Sequence, residues 1–217
     1  MLSSEALAEG LDELDLDLGA AAQRLLQDYA ALLRDWNRTF NLVSRGDIPR
    51  LLERHVLDSL SIWRLIEGER AADIGTGAGF PGIPLAIALP SCRWTLIDRS
   101  VRKARFLREV CRRLRLDGVQ VLQRDVRDVA AAQVAGAQFD TVVARAYGPA
   151  VTAVRSAAPL CRPGGVMLLM SGQPVGLLEL QEAGFGHAER LEVWVPILNR
   201  THVVQRFRKS SSGGSSG

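Results

Sequence analysis

The run Asp73-Ile74-Gly75-Thr76-Gly77-Ala78-Gly79-Phe80-Pro81-Gly82 constrains this chain more than any other feature. It leaves a short apolar stretch, Ala71 to Ile74, and enters a helix-like one, Ile83 to Leu89, with Pro84 near its start. Glycines at this density allow positive φ and let a ligand lie against bare main chain. A strand turning through such a loop into a helix is a unit of an α/β sheet.

The rest of the chain continues the alternation. Strands are predicted at Trp94 to Ile97, Val119 to Leu122, Thr141 to Ala144 and Val166 to Met170, the last after Pro163-Gly164-Gly165. Helices are predicted at Val101 to Leu114, around Ala150 to Leu160 and near Leu177 to Ala183. Two closing β-like runs, Leu191 to Val195 and His202 to Phe207, lack room for a crossover helix and predict an antiparallel hairpin. Residues 1–68 read as a helical N-terminal cap. Ala22, Leu25, Leu26, Tyr29, Leu32, Leu33 and Trp36 share one helical face. A second face carries Leu51, Leu52, Val56, Leu60 and Trp63, after Asp47 as the expected N-cap. The expectation is a doubly wound, mostly parallel α/β domain over 69–209 with that cap in front.

Composition narrows the function classes. With 47% hydrophobic and 24% charged residues, the 217-residue chain can bury a core. A net charge of +3 is too small for a global basic field, so any acidic partner must be met by a local patch. Cys92, Cys111 and Cys161 are odd in number and form no CxxC, which argues against a disulfide scaffold or zinc ribbon and for the cytoplasm. No apolar run spans a bilayer, so no membrane is expected, and without a CxxC pair no metal is expected either. Ser210 to Gly217 reads as a flexible tail or appended linker.

Gly77, Gly79 and Gly82 also fit the dinucleotide G-x-G-x-x-G spacing, so the loop alone is ambiguous. Three details favour S-adenosylmethionine. Asp73 precedes the glycines, where it can meet an ammonium and would repel a pyrophosphate. Pro81 and Pro84 remove N–H donors from the segment that would cradle phosphate. Asp98 ends the second strand, where a carboxylate accepts both ribose hydroxyls, although both cofactor classes use that feature. Asp125, after the third strand, either accepts the adenine amino group or is a solvated turn residue beside Arg127 and Asp128.

Four segments fall in a telling order: Trp36-Asn37-x-x-x-Asn41-Leu42-x-Ser44, His55-x-x-Asp58-Ser59-Leu60, the Asp73 to Pro84 loop, and Phe139-Asp140 to Arg145-Ala146. Together, and above all through Gly79-Phe80-Pro81-Gly82-Ile83-Pro84, the chain resembles the glucose-inhibited division protein B family, the bacterial 16S ribosomal RNA guanine-N7 methyltransferases. The resemblance runs from about Leu25 to Phe207. It implies a class I, Rossmann-like methyltransferase sheet, S-adenosylmethionine as donor and a guanine of the small ribosomal subunit as acceptor. It assigns the donor to Asp73, Gly75, Thr76, Gly77, Gly79, Phe80, Asp98, Asp125, Val126 and Arg145. The acceptor face it implies is Asn41, His55, Asp58, Pro81 and Arg145. Two positions depart from the family pattern. Ser171-Gly172 stands where Lys-Gly is usual, and Thr201-His202 where Arg-His is usual, with Arg200 displaced by one.

Guanine N7 has a free lone pair and loses no proton on alkylation, so the reaction needs placement and exclusion of water rather than a general base. An Arg fork across O6 and N7 would block the atom to be methylated, so Arg145 is expected on a phosphate or on O6 alone, unless it is a structural ion pair. Asp58 either accepts from guanine N1–H and N2 or pairs with an arginine such as Arg54. His55 either packs the cap or touches substrate, and Asn41 either caps a turn or bonds RNA. Arg105, Arg108 and Arg112 lie on adjoining turns of one helix and form either an RNA-binding stripe or a solvated face. The rivals are a methyltransferase of small molecules or proteins, a noncatalytic RNA-binding assembly factor, and a nicotinamide oxidoreductase. A monomer is expected.

Overall fold

The computed structural model describes residues 4–132 and 138–211; residues 212–217 of the Ser/Gly tail lie outside the described residues. Seven strands form one sheet: β1 (Arg70–Ile74), β2 (Arg93–Ile97), β3 (Val119–Leu122), β4 (Phe139–Arg145), β5 (Cys161–Met170), β6 (Phe185–Val195) and β7 (Arg200–Lys209). Their order is β3-β2-β1-β4-β5-β7-β6. The first five are parallel, and β7 pairs antiparallel with both β5 and β6. The order reverses between β1 and β4, so a crevice opens there at the carboxyl ends of the strands.

Helices cover both faces. On one side lie the cap helices α1 (Ser4–Glu13), α2 (Ala20–Phe40) and α3 (Asp58–Leu60), together with α4 (Gly82–Ala88) and α5 (Val101–Leu114). On the other lie α6 (Val126–Ala132), α7 (Ala150–Ala157) and α8 (Leu177–Glu182). β1 and β4 are buried on both faces, as the helix layers demand. In α2 the buried residues Leu26, Tyr29, Leu33 and Asn37 recur at helical spacing. Tyr29 meets Phe80 edge-to-face at 5.4 Å, and its hydroxyl donates to the Ala78 carbonyl at 2.8 Å. The cap thereby pins the glycine loop. Asn41 ends α2 in the left-handed conformation (φ 45°), its side chain exposed.

Several boundaries differ from the sequence reading. Ser44, not Asp47, caps the second cap segment, accepting from the Gly46 N–H at 3.3 Å. Arg45–Arg50 then forms a 3-10 helix that contains Pro49, and Leu52–Leu57 widens into a π-helix. Asp47 is free to pair instead with Arg54 at 2.6 Å. β5 begins at Cys161 rather than Val166, and the Pro-Gly-Gly sequence is absorbed by a register shift against β4. Gly165 is required there, since a Cβ would lie 2.9 Å from the Asp140 carbonyl. The closing hairpin is longer at both ends, and α6 follows Asp125 directly.

Candidate active site

Two cavities open at the carboxyl edge of the sheet, with the end of β4 between them. The larger, about 530 Å³, is walled by Gly75, Asp98, Lys103, Asp125, Val126 and Tyr147. Local hydrogen bonds shape it. Asp98 accepts the Gly77 N–H on one carboxylate oxygen (3.0 Å) and the Ser100 N–H on the other (2.8 Å), leaving lone pairs on both. The N–H groups of Gly75 and Thr76 both reach the Ile97 carbonyl. At Gly75, with φ +65°, a Cβ would lie 2.2 Å from the Tyr147 ring.

Asp73 is wholly buried behind this wall. Its Oδ2 accepts the Thr76 hydroxyl (2.7 Å) and the Gly82 N–H (2.8 Å), which binds the two ends of the loop together. Its Oδ1 has no partner among the described residues. Burial pushes the carboxyl up to about 7, against the opposing pull of the Thr76 and Gly82 hydrogen bonds and the Arg145 charge.

The smaller cavity, about 230 Å³, lies between the ends of β4 and β5 and the start of β7. Its floor is a chain of polar contacts. Arg145 donates from Nη1 to Asp58 Oδ2 at 2.9 Å, and its Nη2 meets His55 Nδ1 at 2.8 Å. His202 Nδ1 meets Asp58 Oδ1 at 2.9 Å, with Arg200 3.8 Å from that oxygen. Phe80 lies under the cluster, stacked on His55 at 4.9 Å and beneath the Arg145 guanidinium at 5.1 Å. Burial raises the Asp58 carboxyl, but the His202 hydrogen bond and the Arg145 charge outweigh it and hold the group below the usual range. Burial, reinforced by Arg145, lowers His55. Its Nε2 stands 3.4 Å from Asp47, an ion-pair distance without hydrogen-bond geometry.

The structure thus divides the residues singled out in the sequence. Gly75, Asp98, Asp125 and Val126 line the larger cleft. Asp125 is also clamped by Arg127 (3.0 Å to both its N–H and Nε), which brings its carboxyl down to about 2. Asp73, Thr76, Gly77 and Gly79 build the loop behind it. Asp58 and Arg145 line the smaller cavity, His55 and Phe80 pack against Arg145, and Asn41 serves as a helix cap. Asp58 pairs with Arg145 rather than Arg54, which goes to Asp47.

Sequence reasoning did not assign Tyr147 and Lys103 to the site, and noted Arg200 and His202 only as a departure from the family pattern. For the last two a signal existed, since polar residues two apart at the start of a β-strand share a face. On α5, Glu109 takes both Arg112 and Arg113, whereas Arg105 and Arg108 are exposed and have no ion-pair partner among the described residues.

Comparison with known proteins agrees with this arrangement. The profile of the family described as rRNA small subunit methyltransferase G matches residues 22–183. Among curated relatives, the protein of that name from Nitrosococcus oceani is 35% identical over 98% of both chains. The one from Alkalilimnicola ehrlichii is 42% identical over 77% of this chain and 74% of its own. Among solved structures, the S-adenosylmethionine-dependent methyltransferase SibL superposes with TM-score 0.58 over 95% of this chain and 76% of its own, at 18% identity. Aeropyrum pernix fibrillarin gives 0.52 over 71% and 75%, at 22% identity. These last two share the class I methyltransferase fold. The chain belongs to the rRNA small subunit methyltransferase G family and is an S-adenosylmethionine-dependent methyltransferase.

Proposed function

We propose that this enzyme methylates N7 of a guanine in 16S ribosomal RNA, on the small ribosomal subunit, acting as a monomer in the cytoplasm. The observation that carries the reading is the pairing of the two cavities. A cleft with a backbone-oriented carboxylate suits a nucleoside donor, and a second, charged cavity opens one strand away at the same edge of the sheet.

The residues present fit the donor. Asp98 keeps lone pairs that would take the ribose hydroxyls, Gly75 and its neighbours offer bare backbone, and Val126 and Asp125 on the cleft wall would hold the adenine. Asp73 Oδ1, beside the loop, is a buried oxygen with no partner among the described residues. When bound, S-adenosylmethionine supplies an electrophilic methyl group, which the N7 lone pair takes as the sulfur–carbon bond breaks, with no proton changing hands. The chain's own work is then to orient and to exclude water. Asp58, held ionised, neutralises Arg145, so that arginine does not oppose the positive charge that develops on the purine. His55 and Phe80 fix the plane of the Arg145 fork.

Exposed Arg105 and Arg108 suit phosphate contact. A monomer fits the pattern of exposed large apolar side chains: Val101, Trp194 and the Leu177–Leu178 pair on α8, rather than a broad stripe. Labelled methyl transfer to purified small subunits, with naked 16S RNA alongside and cleavage specific for 7-methylguanine, tests the proposal. A single labelled guanine is expected. No label on either substrate, despite donor binding, rejects it.

A further inference from the structure

The smaller cavity contains two arginines, and they are not equivalent. Arg145 is mostly buried, and both terminal nitrogens of its fork are committed, one to Asp58 and one to His55. Arg200 is half-exposed at the first position of β7, 3.8 Å from Asp58, too far for a hydrogen bond. Its planar set of N–H donors is therefore held over the cavity by charge alone and remains unspent. The Asp58 charge is already matched by Arg145, so the cavity carries an uncompensated positive charge at Arg200. The facing wall is Ser171 and Gly172, and a Cβ added at Gly172 would meet open space.

Strand periodicity sets which face of β7 this arginine occupies. Residues 200 and 202 point to the same face of β7, so Arg200 stands beside His202 over Asp58. An arginine at 201 would project from the other face, where Thr201 pairs with Trp194 of β6.

We propose that Arg200 is the phosphate anchor of the acceptor site, binding a backbone phosphate of the RNA next to the guanine held in the smaller cavity. The inference rests on the RNA-methylating reading above and assigns to Arg200 the contact expected of Arg145 from sequence. Ser171 leaves room for it, since a long cation at 171 would enter the same cavity.

The test is methyl transfer to purified small subunits across a salt series, with donor binding followed by calorimetry. Arg200→Ala and Arg200→Gln should raise KM for subunits about tenfold, with kcat within twofold of wild type and donor affinity unchanged. The slope of log KM against log salt should fall by about one. Arg200→Lys should retain most of the affinity, and Ser171→Lys on the Arg200→Ala background should restore it. A KM within twofold of wild type, or an unchanged salt slope, overturns the proposal. Loss of donor binding in both Arg200→Ala and Arg200→Gln also overturns it, because the role is then in the fold. If wild type binds donor and labels no subunit, the RNA reading itself falls and takes this inference with it.

Discussion

The two halves of the active site are built on different length scales. Around the glycine loop, hydrogen bonds join Asp73 to Thr76 and Gly82 and Gly77 to Asp98, over 3, 9 and 21 residues. Around Arg145, the contacts to Asp58 and His55 span 87 and 90 residues, and Asp58 reaches His202 across 144. The donor side is thus a local motif that any strand–loop–helix unit could carry. The acceptor side exists only once the cap, β4 and β7 have come together. The acceptor cluster therefore doubles as a charged clasp between three parts of the chain, whereas the donor loop meets the cap through the Tyr29 hydroxyl on the Ala78 carbonyl and the Tyr29 ring against Phe80.

This contrast is easiest to break at Arg145. Arg145→Ala leaves the buried Asp58 carboxylate without its main counter-charge, and should lower stability by about 3–5 kcal/mol in urea unfolding while abolishing transfer. Asp98→Ala removes the acceptor of two backbone N–H groups at the rim of an open cleft, and should cost about 1 kcal/mol while weakening donor binding more than tenfold. Equal stability losses in the two variants would erase the distinction between clasp and loop.

The two buried aspartates should also respond to pH with opposite sign. Asp73 titrates near 7 in the folded chain and near 3.8 when unfolded, so between about pH 4 and 7 the folded state binds the extra proton. Its contribution is fully present below the unfolded value and is lost as pH rises towards 7, by up to about 4 kcal/mol at about 1.4 kcal/mol per pH unit. Asp58 is depressed, so its contribution is present above the unfolded value and is lost as pH falls through the folded one. His55, lowered by burial, loses stability as pH falls below its ordinary 6.5, which opposes Asp73 in a raw profile. The difference between wild type and Asp73→Asn cancels His55. That variant should gain on wild type steadily from pH 4 to 7 in urea unfolding. A flat difference would mean that Asp73 is ionised throughout.

The same contrast decided what the sequence disclosed. Asp73, Gly75 and Gly77 declare their geometry because their partners lie within the same strand–loop–helix–strand unit and glycine adopts φ near +65° without steric cost. Asp98 followed from its place at a strand end. The parallel sheet was legible from strand–helix alternation, and the antiparallel hairpin from the missing crossover. Asp58 and Arg145 could be named as polar residues in a suggestive pattern, but not joined, because their partners are set by the docking of distant elements. Asp47 shows the cost of reading locally: ahead of an apolar helical run it resembles an N-cap, yet its carboxylate is turned to Arg54 and His55. Arg200 was visible as a one-residue offset, but its place could not be read, because that depends on which face of β7 covers Asp58.

A smaller effect separates the glycines of the two regions. Gly75→Ala combines a left-handed backbone with a Cβ 2.2 Å from Tyr147, and should cost about 1–3 kcal/mol and distort the donor cleft. Gly172→Ala meets nothing within 4 Å and should stay within about 0.5 kcal/mol of wild type. Thermal melts with and without S-adenosylhomocysteine read both effects. A donor-induced shift that survives Gly75→Ala would mean that Tyr147 yields and the loop is softer than its hydrogen bonds suggest.

The smallest effect on stability belongs to the exposed arginines of α5. Arg105 and Arg108 have no ion-pair partner among the described residues, so reversing both to Glu removes no contact and should move stability by less than about 0.5 kcal/mol. If they meet RNA, the double reversal should raise KM for small subunits several-fold at physiological salt, with the defect fading as salt rises and phosphate contacts weaken in both proteins. Arg112→Glu is the internal control. Arg112 already shares Glu109 with Arg113, so its charge is partly spent within the helix and its reversal should cost less binding than either neighbour. Binding that is indifferent to Arg105 and Arg108 would confine RNA contact to the cavities at the sheet edge. The clasp around Arg145 would then have to position the acceptor without help from α5.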